Sequence, residues 1–386
     1  MKRVLLLLFL IPVLVFSESL YSPTWGFSLD LPEGYELVEG DGKDRFSFNG
    51  PEGVIFDIIV YNGVYGSVKE LVNDVNKRIN NKGASDFFKY GSESAGTARQ
   101  AAVIELKFAN SSGWGLCVEL GDIKNRPNDG SLPLLLALSF GPSGTANAAY
   151  LDLFHISALD SIIPSEAELL YPGPIMEYSF PRGEKKQVPV KSIGVNAAVN
   201  ENDAQAAQFL IDREFKILES YAATPFWKAA WLRYYRFIYR DSYDRISDAA
   251  AKIARKIGMP NPSNAAEKRV FAQKALAFVQ AFDYERDLKG SDFVNLVSAV
   301  TQNRGDCDSR AMLWAVILSH ADIRSAMMVS REHSHAMGLA DIEGTGARFN
   351  AYGTRWLVAE TTDIVDIGLI EQSMSDAESW LGIIFN

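Results

Sequence analysis

The amino-acid sequence predicts an α+β protein made of two unlike halves. Between residues 20 and 165, short apolar stretches alternate with polar residues and end at turn residues, which is typical of an antiparallel sheet with one buried face. From residue 203 onward, apolar residues recur at the 3.6-residue spacing of helices, and strand patterns follow after residue 323. We therefore expect a sheet-rich domain, and then a domain of helices followed by strands.

The first 17 residues have the pattern of a secretory signal peptide. Lys2 and Arg3 precede the apolar run Val4–Phe16, and Val15 and Ser17 place small residues at the −3 and −1 positions of a cleavage site. The run is shorter than the about 20 residues that a membrane-spanning helix needs. We predict cleavage after Ser17, a periplasmic or secreted protein, and no membrane span after cleavage. An uncleaved N-terminal anchor is the alternative.

Charge and cysteine content narrow the classes of partner and fold. The formal net charge is −10, and it becomes −12 when Lys2 and Arg3 leave with the signal peptide. Such an acidic chain repels phosphate backbones, so nucleic acid is not an expected partner. The two cysteines, Cys117 and Cys307, are too few for a fold held together by disulfides. A single Cys117–Cys307 bridge stays open, and it would disable a thiol at Cys307.

The first half reads as strands with two intervening helices. Cys117 lies in the middle of one strand among apolar neighbours, where core packing is its expected role. Strands are predicted at Trp25–Leu31, Val54–Val60, Ala101–Phe108, Gly115–Leu120 and Pro133–Phe140, and helices at Val68–Ile79 and Ala148–Ile163.

A short motif opens this half. Residues 25–35 read Trp-Gly-Phe-Ser-Leu-Asp-Leu-Pro-Glu-Gly-Tyr. This opening, together with the order of strands, helix, strands and final helix, resembles the PsbP-like domains over residues 22–165. The resemblance implies a PsbP-like domain at residues 20–165 that acts as a binding or accessory module, and it implies no site residues.

The second half begins after a predicted linker. Residues 166–200 contain several prolines and few apolar residues, so we expect a linker with one or two short strands there. A second domain is expected at residues 201–386. Its helices are predicted around Ile211–Ala222, at Pro225–Arg240, from a capping box at Asn264 to Phe282, and from a cap at Ser291 or Asp292 toward Val300, after a break at Gly290.

The helix predicted at Pro225–Arg240 interleaves aromatic and basic residues. Aromatic residues such as Trp227 and Trp231 alternate with basic residues such as Arg233 and Arg240. Such a pattern can bind single-stranded nucleic acid or an acidic membrane surface. It also fits an amphipathic helix with its aromatic residues in the core and its cations in water. The acidic net charge favours the amphipathic helix.

A cysteine stands where a helix is predicted to begin. The segment 305–309, Gly-Asp-Cys-Asp-Ser, precedes a strongly apolar stretch, and Asp306 or Ser309 can cap a helix that begins near Cys307. A helix N-terminus stabilises a thiolate, whereas the carboxylates of Asp306 and Asp308 disfavour it. A neighbouring imidazolium is therefore needed to stabilise the thiolate.

Two histidines and a carboxylate follow on predicted strands. His333 and His335 lie two residues apart in one predicted strand, so they point to the same face, and Glu360 ends a strand that starts at Trp356. Cysteine catalysis needs a thiol nucleophile, an imidazole base and an acid that orients the base. Cys307, one of the histidines and Glu360 can supply these roles.

Other assignments of these side chains stay open. Asp363 or Asp366 could supply the acid in place of Glu360, although a loop position favours solvent exposure for both. The His-x-His pair could also ligate a metal with Cys307 or Asp341. A fourth ligand at fixed spacing is missing from the sequence, so no metal is predicted.

Three motifs in this order resemble the transglutaminase-like superfamily, which has the papain-type fold. The resemblance covers about residues 205–365 and implies helices followed by an antiparallel sheet. It implies that Cys307 is the nucleophile, His335 the base and Glu360 the orienting acid, at a position where the family usually has aspartate. The motifs are Gly-Asp-Cys-Asp at residues 305–308, His335-Ala336, and Trp356 followed by Glu360-Thr-Thr.

The same resemblance suggests supporting residues. His333 becomes a neighbour of the base, and Asp306 and Trp356 belong to the motifs themselves. The backbone N–H of Cys307 and the side chain of Gln302 are candidates for stabilising an oxyanion.

The resemblance implies an exported, cysteine-dependent acyl-transfer enzyme that hydrolyses an amide or peptide bond through a thioester. Transfer of the acyl group to an amine is the other outcome open to such a thioester. The expected substrate is a protein or peptide, for instance one of the cell envelope, and no metal or organic cofactor is needed. The alternative is a catalytically inactive binding or scaffold protein of the cell envelope, which the PsbP-like half and the glutamate at position 360 favour.

Overall fold

The computed structural model describes residues 20–122, 132–286 and 291–385. In this part of the chain the fold is α+β, with two large antiparallel sheets and helices packed against them, as the sequence predicts. The predicted signal peptide at residues 1–17 and the predicted break at Gly290 lie outside the described residues. No helix among the described residues is long and apolar enough to cross a membrane.

The first half contains a sheet of seven strands. Their spatial order is β3-β4-β5-β9-β8-β7-β6, and every neighbouring pair is antiparallel. A small antiparallel pair, β1 with β2, precedes them. In chain order the elements are β1 (Leu20–Tyr21), β2 (Ser28–Leu29), β3 (Glu36–Gly40), β4 (Arg45–Asn49), β5 (Ile55–Tyr61), α1 (Val68–Arg78), β6 (Ser85–Tyr90), β7 (Arg99–Phe108), β8 (Ser111–Glu119), β9 (Leu134–Pro142) and α2 (Ala148–Asp160).

Most predicted elements of this half occur with small shifts at their ends. The exception is the strand predicted at Trp25–Leu31, of which only β2 forms. Strands β3, β4 and β6 lie outside the predicted strands, because charged and polar residues interrupt their apolar pattern. Edge strand β3 is exposed along its whole length, so its sequence lacks the apolar pattern of a buried strand.

Helices cover both faces of this sheet. Along β9, Leu134 and Leu136 pack into the cluster that contains α1, whereas Leu135 and Ala137 pack into the cluster that contains the end of α2. Successive residues of a strand point to opposite faces, so burial on both faces explains the unbroken apolar run at Pro133–Phe140. The prediction of one buried face is wrong.

The segment predicted to be a linker has its own structure. A short 3₁₀ turn at Glu166–Glu168 precedes α3 (Pro174–Ser179), and the antiparallel strands β10 (Lys185–Val190) and β11 (Val195–Asn200) follow. The hairpin packs on the second half, because Val190 and Ala197 are buried in its core.

The second half is a set of helices around a five-stranded antiparallel sheet, ordered β16-β17-β15-β14-β18. Helix α8 is capped by Asn295, whose side chain accepts from the Ser298 N–H, and not by Ser291 or Asp292 as predicted. The elements are α4 (Asp203–Tyr221), α5 (Trp227–Arg245), α6 (Ser247–Ile257), α7 (Ala265–Gln280), β12 (Asp283–Tyr284), α8 (Leu296–Gln302), β13 (Arg304–Gly305), α9 (Cys307–Ser319), β14 (Ser325–Ser330), β15 (His335–Ala340), β16 (Arg348–Ala351), β17 (Thr354–Ala359) and β18 (Leu381–Ile384).

Helix α9 is the buried centre of this half. Its apolar residues 311–318 are all fully buried, and it packs against β15 on one face of the sheet. The closest approach is at Gly338, where an added Cβ would lie 2.5 Å from Cε3 of Trp314. A side chain at position 338 would therefore push α9 and β15 apart.

Buried arginines of α5 join the two halves. Arg240 donates to the carbonyl oxygens of residues 160, 161, 162 and 171, which satisfies the end of α2. Arg233 lies 2.5 Å from the Glu214 carboxylate and donates to the Ser157 hydroxyl at 2.7 Å. The prediction that the cations of this helix point into water is wrong for Arg233 and Arg240, because the first half covers them.

We expect Arg233→Ala to lower the free energy of unfolding by about 3–5 kcal/mol, because it leaves part of the buried Glu214 charge uncompensated. Urea unfolding of the two proteins measures this loss. Arg236→Ala is the matched control on the same helix: its partner Asp30 and Arg236 itself are partly solvated, so its loss should stay at or below about 1 kcal/mol. Equal losses would contradict the role given to the buried pair.

Candidate active site

Cys307 is the first residue of α9 and is almost fully buried. The predicted cap is formed by Asp306, whose Oδ1 accepts from the Ser309 N–H at 2.8 Å. Arg310 fixes the loop before the helix, since it donates to the carbonyl oxygens of Gly305 and Phe282. The N-terminus of α9, which carries the thiol, is therefore held by the Asp306 cap and by the hydrogen bonds of Arg310.

The two cysteines are free, so they form no bridge. Cys117 is fully buried in the core of the first sheet, where packing was its expected role. The backbone N–H groups of Ala336 and Asp308 act to lower the pKa of Cys307. Its side-chain hydrogen bond is a long one, 3.8 Å to Oδ2 of Asp308.

His335 and Glu360 form a hydrogen-bonded pair within electrostatic reach of Asp308, the residue that follows Cys307. His335 is the first residue of β15, Glu360 directly follows β17, and these strands are neighbours in the sheet. His335 Nε2 lies 2.8 Å from Glu360 Oε2. Use of Nε2 in this bond leaves Nδ1 as the ring nitrogen that can exchange a proton with a thiol.

Glu360 is itself held in place. Its other oxygen, Oε1, accepts from the Thr362 N–H at 2.7 Å and from the Thr362 hydroxyl at 2.6 Å. Its backbone carbonyl accepts from Gln280 at 2.8 Å. The carboxylate can therefore fix the orientation of the imidazole, which is the role expected of the acid. Asp363 and Asp366, the alternative acids, are exposed.

The pair shifts the pKa values of both partners. Burial alone would lower the pKa of His335, but the hydrogen bond and charge of Glu360, with the charge of Asp308, raise it above its ordinary value. Burial alone would raise the pKa of Glu360, but His335 and the Thr362 hydrogen bonds lower it. Both shifts extend the pH range over which the pair consists of an imidazolium and a carboxylate.

The thiol has the opposite environment. Burial, followed by the charges of Asp308 and Asp306, raises the pKa of Cys307. Burial also raises the pKa of each of these two aspartates. Among the described residues no hydrogen bond joins Cys307 Sγ to His335, and the side-chain partner of the sulfur is Asp308. Burial and the two aspartates therefore favour the thiol over the thiolate at Cys307.

His333 does not share a strand face with His335. It lies in the turn between β14 and β15, so the predicted strand starts two residues later than expected. Its ring centroid lies 5.5 Å from that of Trp380, which is 6.3 Å from that of His335. His333 Nε2 is buried without a hydrogen-bond partner. The Trp380 ring therefore lies close to both histidine rings.

The other supporting candidates lie away from the sulfur. Trp356 is buried on the other face of the sheet from α9, and its Nε1 donates to the Ala351 carbonyl at 3.1 Å. Gln302 is exposed at the end of α8, and its Oε1 accepts from Arg304 at 2.6 Å. The described residues contain no group of three or more His, Cys, Asp and Glu side chains that could hold a metal ion.

Several residues of the site were not identified from the sequence. Tyr235 donates to Oδ1 of Asp308 at 2.8 Å from the distant helix α5, and Trp380 reaches the histidines from the C-terminal end of the chain. Both lie far from the motifs along the chain, so no local pattern marks them.

Comparison with known proteins adds no relative. No protein-family model matches this chain, and no curated protein matches it.

We expect Glu360→Gln to lower the pKa of His335 below its ordinary value of 6.5, because burial remains while the carboxylate charge is lost. The chain has four histidines, so their ring protons can be followed individually by NMR over pH. Thr362→Val, which removes one hydrogen bond to Glu360 but keeps its charge, should lower the pKa much less. A His335 pKa unchanged in Glu360→Gln would contradict the pairing.

The same pair predicts a pH window for stability. The contribution of His335 is complete below its unfolded pKa near 6.5 and is lost as pH rises through its higher folded pKa. The contribution of Glu360 is complete above its unfolded pKa near 4.5 and is lost as pH falls through its lower folded pKa. The difference in unfolding free energy between wild type and Glu360→Gln should therefore be largest between pH 4.5 and 6.5. A difference in unfolding free energy that grows steadily toward pH 9 would contradict the pairing of His335 with Glu360.

We expect Gly338→Ala to weaken both the fold and the site, because the added methyl group overlaps the Trp314 ring. Thermal unfolding should show a loss of about 1–3 kcal/mol. Gly66→Ala is the control: its nearest contact is the flexible end of Glu70 at 3.4 Å, so the change should be close to neutral. Equal melting temperatures for the two variants would contradict this expectation, because a methyl group would then fit between α9 and β15.

Proposed function

We propose that this protein is an exported, cysteine-dependent acyl-transfer enzyme of the transglutaminase-like class, with Cys307, His335 and Glu360 as its catalytic residues. The observation that supports it best is the His335–Glu360 pair, 2.8 Å apart. This pair lies within electrostatic reach of Asp308, the residue that follows Cys307 at the start of α9.

The architecture supports the proposal that the second half has the papain-type fold. The cysteine begins a buried helix, the histidine begins a strand that this helix packs on, and the acid follows the neighbouring strand. Catalysis of this kind needs a thiol, an imidazole and an acid that the fold brings together from different elements. For the first half we propose a PsbP-like accessory role, supported by its sheet with helices on both faces.

The proposed reaction begins from the neutral form of His335, whose Nδ1 takes the thiol proton of Cys307. The sulfur then attacks the carbonyl carbon of an amide or peptide bond, and the backbone N–H of Cys307 is available to the oxyanion. Collapse of the tetrahedral intermediate breaks the C–N bond, and the imidazolium returns the proton to the leaving amine. Water, activated by the neutral imidazole, then hydrolyses the thioester. Glu360 keeps the ring oriented throughout, and these steps require no cofactor.

The proposed location follows from the predicted signal peptide. Cleavage after Ser17 would release the protein into the periplasm or the medium, where proteins and peptides of the cell envelope are the proposed substrates.

A second candidate function rests on a specific observation. The thiol of Cys307 donates to the Asp308 carboxylate and is buried, and both features oppose a thiolate. A catalytically silent binding or scaffold protein of the cell envelope would keep such a thiol permanently.

Alkylation by iodoacetamide separates the two functions. We expect Cys307 to be alkylated at pH 7, below the ordinary free-thiol pKa of about 8.5, and His335→Asn to slow this reaction at least about tenfold. Mass spectrometry of the digested protein reads each cysteine separately. Cys117 is fully buried, so its labelling serves as an internal control for unfolding. Equal rates with and without the imidazole would favour the silent protein.

A further inference from the structure

One carboxylate of the site is not used by the proposed reaction. Asp308 follows Cys307 in the first turn of α9, and its Oδ2 faces the Cys307 sulfur at 3.8 Å. The thiol therefore donates its side-chain hydrogen bond to the Asp308 carboxylate and not to the His335 ring.

The position of Asp308 is imposed by another helix. Tyr235 of α5 is almost fully buried, and its hydroxyl donates to Asp308 Oδ1 at 2.8 Å. One carboxylate oxygen is thus fixed by the phenol, and the other is left facing the sulfur. Rotation of Asp308 away from Cys307 would require loss of the phenol hydrogen bond.

The charges around Asp308 are mixed. His335 and Arg286 are the cations that favour its ionised form, and the hydrogen bonds from Tyr235 and Cys307 do the same. Burial and the neighbouring carboxylate of Asp306 oppose ionisation. An anion at Asp308 keeps the proton on sulfur in two ways, because it accepts the S–H bond and repels a thiolate.

We propose that Asp308, clamped by Tyr235, favours the protonated thiol of Cys307, so that the thiolate forms more readily when this carboxylate is removed or turned away. This inference rests on the proposed function and assigns a resting state to the same site. On release, the thiol proton moves from sulfur to His335 Nδ1. Starting from a neutral His335, the products are a thiolate and an imidazolium, and the charge of Asp308 does not change in this step.

The test compares alkylation rates of Cys307 at pH 7 in full-length variants. We expect Asp308→Asn to react about tenfold faster than wild type with iodoacetamide, because loss of the carboxylate charge lowers the pKa of the thiol. Tyr235→Phe should accelerate the reaction in the same direction but less. Asp306→Asn is the matched control, since it removes a carboxylate beside Cys307, keeps a side chain that can cap α9, and touches no sulfur. It should change the rate less than about threefold.

Charged reagents add a readout that a loss of packing would not reproduce. A cationic methanethiosulfonate should react faster with the wild-type thiol than an anionic one, and this preference should shrink in Asp308→Asn. Circular dichroism and the protection of Cys117 show that each variant is folded. Should Asp308→Asn not fold, Tyr235→Phe carries the test alone.

Each outcome decides a different claim. Acceleration in Asp308→Asn but not in Asp306→Asn supports the inference. Equal acceleration in both overturns it, because a general loss of negative charge would then suffice. No acceleration in Asp308→Asn, while His335→Asn still slows the reaction, overturns the inference and leaves the proposed function standing. No acceleration in Asp308→Asn and no effect of His335→Asn overturn both.

Discussion

The site exists because α9 and β15 approach each other closely at a position without a side chain. Gly338 lies against the Trp314 ring, with no room for a Cβ between them. That contact sets the distance between the start of the helix, which carries Cys307, and the start of the strand, which carries His335. Close-packed interiors transmit such steric constraints directly. The hydrogen bonds around the thiol and the imidazole refine a geometry that packing has already imposed.

The charges of the site divide into two groups. The His335–Glu360 pair is well compensated, with hydrogen bonds to both carboxylate oxygens, and favours a protonated imidazole. The thiol lies at a helix N-terminus, which favours an anion, but next to Asp308, which does not. The site therefore contains a thiol, a base and an acid, while Asp308 opposes formation of the thiolate. Buried hydrogen bonds also join the halves, where each side-chain nitrogen of Arg233 and Arg240 donates to at least one acceptor.

The sequence predicted the parts of this fold that local patterns determine. Apolar periodicity located most helices and the central strands, and capping chemistry located the start of α9 at Asp306. Such local patterns do not predict contacts between residues that lie far apart in the sequence. Burial of the first sheet on both faces and burial of Arg233 depend on what packs against each element, which no local spacing records. His333 fell in a turn because the hairpin between β14 and β15 closes there. The family assignment stays a resemblance carried by short motifs.

Intact-mass detection of an acyl group on Cys307, after brief mixing with a p-nitrophenyl ester, tests the central claim most directly. If the imidazole activates the thiol, the wild-type protein forms a thioester at this cysteine that decays with time. His335→Asn should form it far more slowly, and Cys307→Ala should form none. A wild-type protein that gains no acyl group, or gains it at the same rate without His335, would contradict the account.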